Sequence, residues 1–290
     1  MSTIVSGLKV SSQSPTWHAA KRLLHNRSFL IGAGLVLAIA LMALFADALA
    51  PFDPLRNSFR TRLLAPDGRY WFGTDHFGRD ILSRVIFGAR ISLTIGILTA
   101  VLTGIAGTLI GAAAGFFRSL DNPVMRLMDA LMAFPAILLA IAVAAVLGAS
   151  VTNVIIALAI ATTPHTARIV RASVLVVREQ EFILAARALG ASEMRLLFRH
   201  VLPNALGPLI VRLTYVFATA ILAEAALSFI GVGPPPPAPS FGSIIAQGRD
   251  FIAEAPWITI FPGLAIIISV LGLNLLGDGL RDVLDPRMRT

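Results

Sequence analysis

Residues 178–204 read REQEFILAARALGASEMRLLFRHVLPN, a polar interruption between two long apolar runs. Arg178, Glu179, Glu181, Arg187, Glu193, Arg195 and Arg199 charge one side of it. Phe182, Ala185, Ala186 and Leu189, then Met194, Leu197, Phe198 and Val201, recur at helical spacing, which predicts two short helices broken at Gly190. Ser192 is placed to cap the second helix, with Glu193 in a first turn whose dipole favours negative charge. Pro203 stops that helix or opens the next segment. On periodicity alone, this helix–Gly–helix hairpin can be a surface loop folded along lipid headgroups.

The surrounding composition defines the solvent. Of 290 residues, 56% are hydrophobic and only 14% charged, and the mean hydropathy is +0.80. No soluble domain of this size requires so much apolar surface, so the chain reads as an all-α polytopic membrane protein. It contains no cysteine, which excludes a disulfide framework and thiol chemistry. The net charge of +8 would suggest nucleic acid in a soluble protein, but here it reads as loop charge that sets topology. No nucleic-acid partner is expected. No cleavable signal pattern precedes the first apolar run, which starts near Phe29 and is too long for a signal core.

Six spans follow from runs near or above the roughly 20 residues a crossing helix needs. They are Phe29–Ala50, Ile91–Phe117, Val124–Leu147, Val151 to about Ile169, Leu206–Ile230 and Trp257–Gly277. Gly148-Ala149-Ser150 joins the third and fourth as a tight hairpin, and Pro135 and Pro164 are kinks within them. Residues 1–28 read as a cytoplasmic tail whose basic end, Thr16 to His25, suits a membrane-surface helix anchored by Trp17. Residues 281–290 form a second cytoplasmic tail. With the N-terminus inside, most of the 24 Lys and Arg residues fall on the inner side, together with hairpin 178–204. The first outer loop nevertheless carries Arg56, Arg60, Arg62, Arg69, Arg79, Arg84 and Arg90.

That loop, residues 51–90, begins irregularly because of Pro51, Pro54 and Pro66. Ile81, Leu82, Val85 and Ile86 then oppose Arg79, Asp80, Ser83 and Arg84, which predicts a short helix lying on the outer surface before the second span. His76 beside Asp75 and Asp80 is weak as a metal site; Asp–Arg pairs and Asp caps in a turn are the competing reading. The second outer loop, residues 231–256, contains GVGPPPPAPSFG, a stiff polyproline-like segment.

Gly107, Gly111 and Gly115, with Gly104 nearby, line one face of the second span. Such spacing admits close helix approach, either at a subunit interface or pore face, or in packing within the subunit. Glu224 is the one acid well inside a span; it either lines a translocation path or makes a structural hydrogen bond to another helix or to the outer loops. Arg212, twelve residues earlier, is too far along the helix to pair with it. Asp129 and Asp278 read as interfacial. No His-Glu-x-x-His, Gly-x-Ser-x-Gly or phosphate-cradling Gly-x-x-x-x-Gly-Lys pattern occurs, so no catalytic residue and no bound metal is expected. ATP, if used, binds another chain.

Four blocks, in order, carry a family resemblance. Ala185-Ala186, Gly190 and Leu202-Pro203 match in register the Glu-Ala-Ala loop of ABC-importer permeases, with Leu184 in place of the Glu and His200 in place of an Ile. FGTDHFGRDILSRVIFGARISL at Phe72–Leu93, SFIGVG with its Pro-rich continuation to Phe241 and Gly242, and GDGLRDVLDP at Gly277–Pro286 resemble the C-type permease of dipeptide, oligopeptide and nickel importers. The resemblance runs from about Phe29 to the C-terminus. It implies six transmembrane helices, with a five-helix core over residues 91–280 of the MetI-like ABC permease type. It implies a bacterial inner membrane location, a heterodimer with a B-type permease, two ATPase subunits that bind ATP and Mg, and a periplasmic or extracellular substrate-binding protein. It also implies that hairpin 178–204 couples to the ATPase through Glu181, Phe182, Ala185, Ala186, Gly190, Arg195, Leu202 and Pro203. Dipeptides or oligopeptides are the implied cargo, with nickel, glutathione or opine-like solutes as alternatives. An ion-coupled secondary transporter would need several mid-membrane ionisable residues and an internal repeat, and the chain offers one acid and no clear repeat. A non-transporting scaffold leaves the hairpin and the paired outer loops unexplained.

Overall fold

The computed structural model describes residues 23–284. Most of the predicted N-terminal tail, including the Trp17 surface helix, and the chain from Asp285 onward lie outside these residues. The described residues are helical, apart from loops and one isolated bridge between Thr74 and Asp80. The helices are α1 (Arg27–Leu44), α2 (Ala46–Leu49), α3 (Ile81–Phe116), α4 (Arg118–Met132), α5 (Ala136–Leu147), α6 (Val151–Arg178), α7 (Glu181–Ala188), α8 (Glu193–Arg195), α9 (Leu202–Phe229), α10 (Phe241–Gly248) and α11 (Trp257–Leu284). A wider π-type turn, Leu196–Val201, joins α8 to α9 without a break.

Five of these helices are long and apolar enough to cross a membrane, or six spans if the bent pair α4–α5 counts as one. The expected third span, Val124–Leu147, is therefore not a straight helix. Its two halves meet at 88°. Pro135 has no N–H to donate and crowds the helical conformation of Phe134, so the chain turns there. The first half carries Arg118, Asp121, Asn122, Arg126 and Asp129, and only Met128 of it is buried.

The expected surface helix before the second span is also corrected. Asp80 accepts a bond from Ser83 N at 2.7 Å and starts a helix that continues unbroken to Phe116. At about 1.5 Å per residue, its 36 residues span about 54 Å. Both faces of its first turns are buried, Arg84 as fully as Ile81, because the preceding loop and α10 cover them. The second outer loop likewise holds a helix, α10, capped by a reciprocal Ser240–Ser243 pair.

Helix α3 is the axis of the bundle. Gly107, Gly111 and Gly115 face, in the same order, Thr166 and Ala167, Val170 and Arg171, and Val174 of α6, which therefore runs parallel to it. Of the two readings of the glycine stripe, the structure displays packing within the subunit. Gly96 and Gly104 face Phe217 and Leu213 of α9. On another side, α1 and α11 pack through Gly32, Gly272 and Gly279. The two ends of the bundle differ. At one end the loop 51–80, α10 and the start of α11 form a lid around Ile81, Val85, Phe241, Ile244 and Ile258. At the other, hairpin 178–204 packs beneath Phe116, Val170 and Val174.

Candidate functional site

The hairpin is fixed at its α6 root. Arg178 Nη1 donates to the carbonyl of Gly115 at 2.9 Å, which ties the end of α6 to the end of α3. Arg171 pairs with Asp121 of α4 at 2.6 Å nearby. The turn falls at Gly190, whose φ of +83° suits glycine, and Ala191 N bonds back to the carbonyl of Ala186. Ser192 makes no side-chain cap to the next helix, contrary to expectation, although Glu193 occupies its first turn. Instead, Glu193 pairs with Arg187 across the turn at 3.2 Å.

The apolar face also differs from the expected one. Ile183, Leu196, Leu197 and Val201 are buried under α3 and α6, and Ala186 is half-buried. Phe182, Leu184, Leu189, Met194 and Phe198 remain exposed, Leu189 at 89%. Glu181, Ala185, Gly190, Arg195 and Pro203 are exposed beside them, and Leu202 is half-buried. The hairpin is thus a braced platform that leaves several large apolar side chains exposed. Periodicity missed Ile183 and Leu196 because both faces of a short helix can carry apolar residues, one for the bundle and one for something else.

Glu224 lies elsewhere. It is wholly buried and accepts bonds from Ser228 Oγ and Ser240 Oγ, both at 2.7 Å, and from Ser92 Oγ at 3.2 Å. It joins α3, α9 and the cap of α10. It lines neither of the cavities of α6 and α9 described next.

One cavity of about 310 Å³ lies among α5, α6 and α9, lined by Leu158, Thr162, His165, Arg212, Tyr215 and Thr219 among others. A second, about 870 Å³, continues toward the hairpin past Ser173, Gln180, Asn204 and Arg281. Arg212 and Tyr215 border both. The sequence signal was present in Arg212, a cation within a span, but its significance depends on which helix faces it.

At the opposite end, Asp75 accepts from Arg79 Nε at 2.7 Å and from Arg84 Nη1 at 2.9 Å. Gln247 of α10 accepts from the same two guanidiniums at 2.7 and 3.0 Å. Trp257 Nε1 donates to the carbonyl of Thr74 at 3.1 Å. Asp75 and Asp80 are thereby engaged as an Arg partner and a helix cap. The His76 ring stacks on Phe251 at 4.9 Å, and burial lowers its pKa, with Asp75 opposing and Arg79, Arg84 and Arg62 adding to the effect.

A helical bundle with cavities between its spans, a lid at one end and a braced apolar hairpin at the other defines the transmembrane subunit class of transport proteins. The chain belongs to the family described as binding-protein-dependent transport system inner membrane component, which matches residues 104–290. Residues 14–66 match the N-terminal TM domain of oligopeptide transport permease C. A Brucella abortus protein named for a peptide transport system permease is 55% identical over 277 residues, covering 96% of this chain and 94% of the relative. The dipeptide transport system permease protein DppC of Alkalihalophilus pseudofirmus is 44% identical over 278 residues, covering 96% and 91%. The glutathione transport system permease protein GsiD of Escherichia coli is 44% identical over 277 residues, covering 94% and 91%. An inward-facing structure of the MetNI methionine ABC transporter shares the fold, with a TM-score of 0.60, 21% identity, and coverage of 70% of this chain and 97% of that one. The chain is a multi-pass inner-membrane permease subunit of an ABC importer, and its family implies ATPase and substrate-binding partners.

Proposed function

We propose that this subunit pairs with a homologous B-type permease, that two cytoplasmic ATPase subunits dock on its hairpin and the partner's, and that it carries dipeptides or oligopeptides delivered by a binding protein. The observation that carries the reading is the exposed patch of Phe182, Leu184, Leu189, Met194 and Phe198 on a hairpin braced by Ile183, Leu196, Leu197 and Val201. Isolated apolar residues on a surface need no explanation, but a cluster of this kind beside charged residues suits a protein partner. ATP and Mg bind in the ATPase subunits, and this chain binds no cofactor. With both termini cytoplasmic, the hairpin lies on the ATPase side.

Mechanically, the continuous run from α8 through Leu196–Val201 into α9 suits a lever. Movement of the docked ATPase shifts the hairpin as a body, because Arg178 and the buried apolar cluster hold it to α3 and α6. Helices α6 and α9 then change their separation, and with it access to the cavities between them. Peptide cargo is supported by the names of the relatives, and a glutathione cargo by one of them.

The test is Leu189→Glu together with Phe198→Glu, in the chain co-expressed with its partner permease, ATPases and binding protein. The expected result is loss of ATPase co-purification, or ATP turnover that the binding protein no longer stimulates, with the permease still in the membrane at its usual level. Unchanged uptake in the double variant would sink the docking reading.

A further inference from the structure

Arg212 lies inside an apolar helix, and its surroundings do not neutralise it. Among the described residues its guanidinium has no ion pair and no hydrogen bond; its Nε is buried without a partner, and the ring of Tyr215 lies 5.0 Å from it. A charge held in a bilayer segment is costly unless it meets a partner or a wet path. Structural arginines in this chain do find carboxylates: Arg84 has Asp75, Arg171 has Asp121, and Arg168 has Asp129. That last pair engages the acid of α4 nearest this region, so Asp129 is occupied elsewhere.

The position of Arg212 is distinctive as well. It stands where the two cavities meet. Together they follow α9 from Asn204 to Ala223, about 29 Å at 1.5 Å per residue, close to the hydrocarbon thickness of a bilayer of about 30 Å. Arg212 is eight residues from one limit and eleven from the other, near the middle of the route. Neither cavity is lined by an Asp or a Glu; the ionisable groups facing them are His165, Arg212, Arg281 and the Tyr215 hydroxyl. Thr162 and Thr219 spend their hydroxyl protons on carbonyls of their own helices, leaving oxygens that can only weakly complement a cation.

We propose that Arg212 is a transit site for the carboxylate of the transported solute, with Tyr215 holding the guanidinium across the opening and His165 adding donor capacity. A planar guanidinium offers paired donors to a carboxylate, and a low-dielectric wall strengthens the contact. Because the site must release what it binds, one unassisted arginine midway suits passage better than a fully built pocket. This deepens the peptide reading above and rests on it: every peptide with a free C-terminus brings such a carboxylate.

The test uses the complete reconstituted importer with its binding protein. Uptake of a labelled dipeptide with a free C-terminus is compared with uptake of its C-terminal amide, in wild type, Arg212→Gln and Arg212→Lys. Binding-protein-stimulated ATP hydrolysis serves as the control for assembly. The expected result for Arg212→Gln is a loss of free-acid uptake of about ten- to a hundredfold, the equivalent of one charge-assisted hydrogen bond. Uptake of the amide should change little, so that the preference for the acid collapses, and Arg212→Lys should restore most of it. Equal loss for both probes, or unchanged uptake of the acid, overturns the proposal. So does failure of Arg212→Gln to assemble while Arg212→Lys assembles, which would assign Arg212 to a carboxylate of the partner permease. If the wild-type importer takes up neither probe, the peptide reading itself fails, and the carboxylate site with it.

Discussion

Asp75 and Arg84 lie 2.9 Å apart with side chains only 2% and 1% exposed, and the same carboxylate also receives Arg79. One anion thus serves two cations in a dry setting, and Gln247 of α10 completes the set from 163 residues away in the chain. Removing one partner of a buried pair leaves an uncompensated charge. Asp75→Asn is expected to destabilise the lid by about 3–5 kcal/mol. Thermal unfolding in detergent checks it, and a melting temperature equal to wild type would show that the cluster contributes nothing.

The glycine stripe predicts an order of damage. A Cβ at Gly111 would stand 2.4 Å from the carbonyl oxygen of Ala167, a backbone atom that cannot swing aside. A Cβ at Gly104 would meet only the flexible end of Leu213 at 3.0 Å, and at Gly263 nothing lies within 4 Å. Gly111→Ala should cost about 1–3 kcal/mol by overpacking, Gly104→Ala less, and Gly263→Ala should be neutral or stabilising. Expression level and melting temperature across the three variants test the order.

Gly190 makes a different prediction, because its surroundings are open and only its φ of +83° is demanding. Gly190→Val should strain the turn by about 1–2 kcal/mol without any clash, whereas Gly190→Asn should be tolerated. The informative measurement is the ratio of ATP hydrolysed to solute taken up. A rise in that ratio for the valine variant with normal membrane levels fits a lever that has lost its shape; an unchanged ratio argues that hairpin geometry does not matter.

His76 gives a pH dependence. Burial holds its folded-state pKa below the ordinary 6.5, so the folded protein keeps the ring neutral where the unfolded chain already binds a proton. Stability contributed by the neutral ring is therefore fully present above about pH 6.5 and is lost as the pH falls from there through the lowered folded-state pKa. His76→Gln should flatten the dependence of the melting temperature between about pH 5 and pH 7. A slope identical to wild type would assign it to other groups.

Much of the bundle was legible because lipid-facing and core helices both require apolar runs, and a run of 20 or more residues has few other uses. The glycine repeat was legible for a similar reason: close helix approach needs small residues at one-turn spacing. The break at Pro135 was only half legible. A proline within an apolar run can kink a span or turn the chain through 88°, and the amphipathic stretch Arg118–Met132 decides between these only once Arg171 and Arg168 of α6 are there to hold Asp121 and Asp129.

By itself, the sequence determined the solvent, most of the long apolar runs and the Gly190 turn, since each depends on local composition or on spacing within one segment. Only the tertiary structure decided which residues are partners across long separations. It turned Arg79, Asp80, Ser83 and Arg84 inward, because a loop and α10 close over them. It gave Glu224 three hydroxyl donors from three elements, left Arg212 without an acceptor among the described residues, and set Leu189 outward while Ile183 went in. Burial of a polar group depends on what the rest of the chain brings to it, and helical periodicity describes only the helix itself.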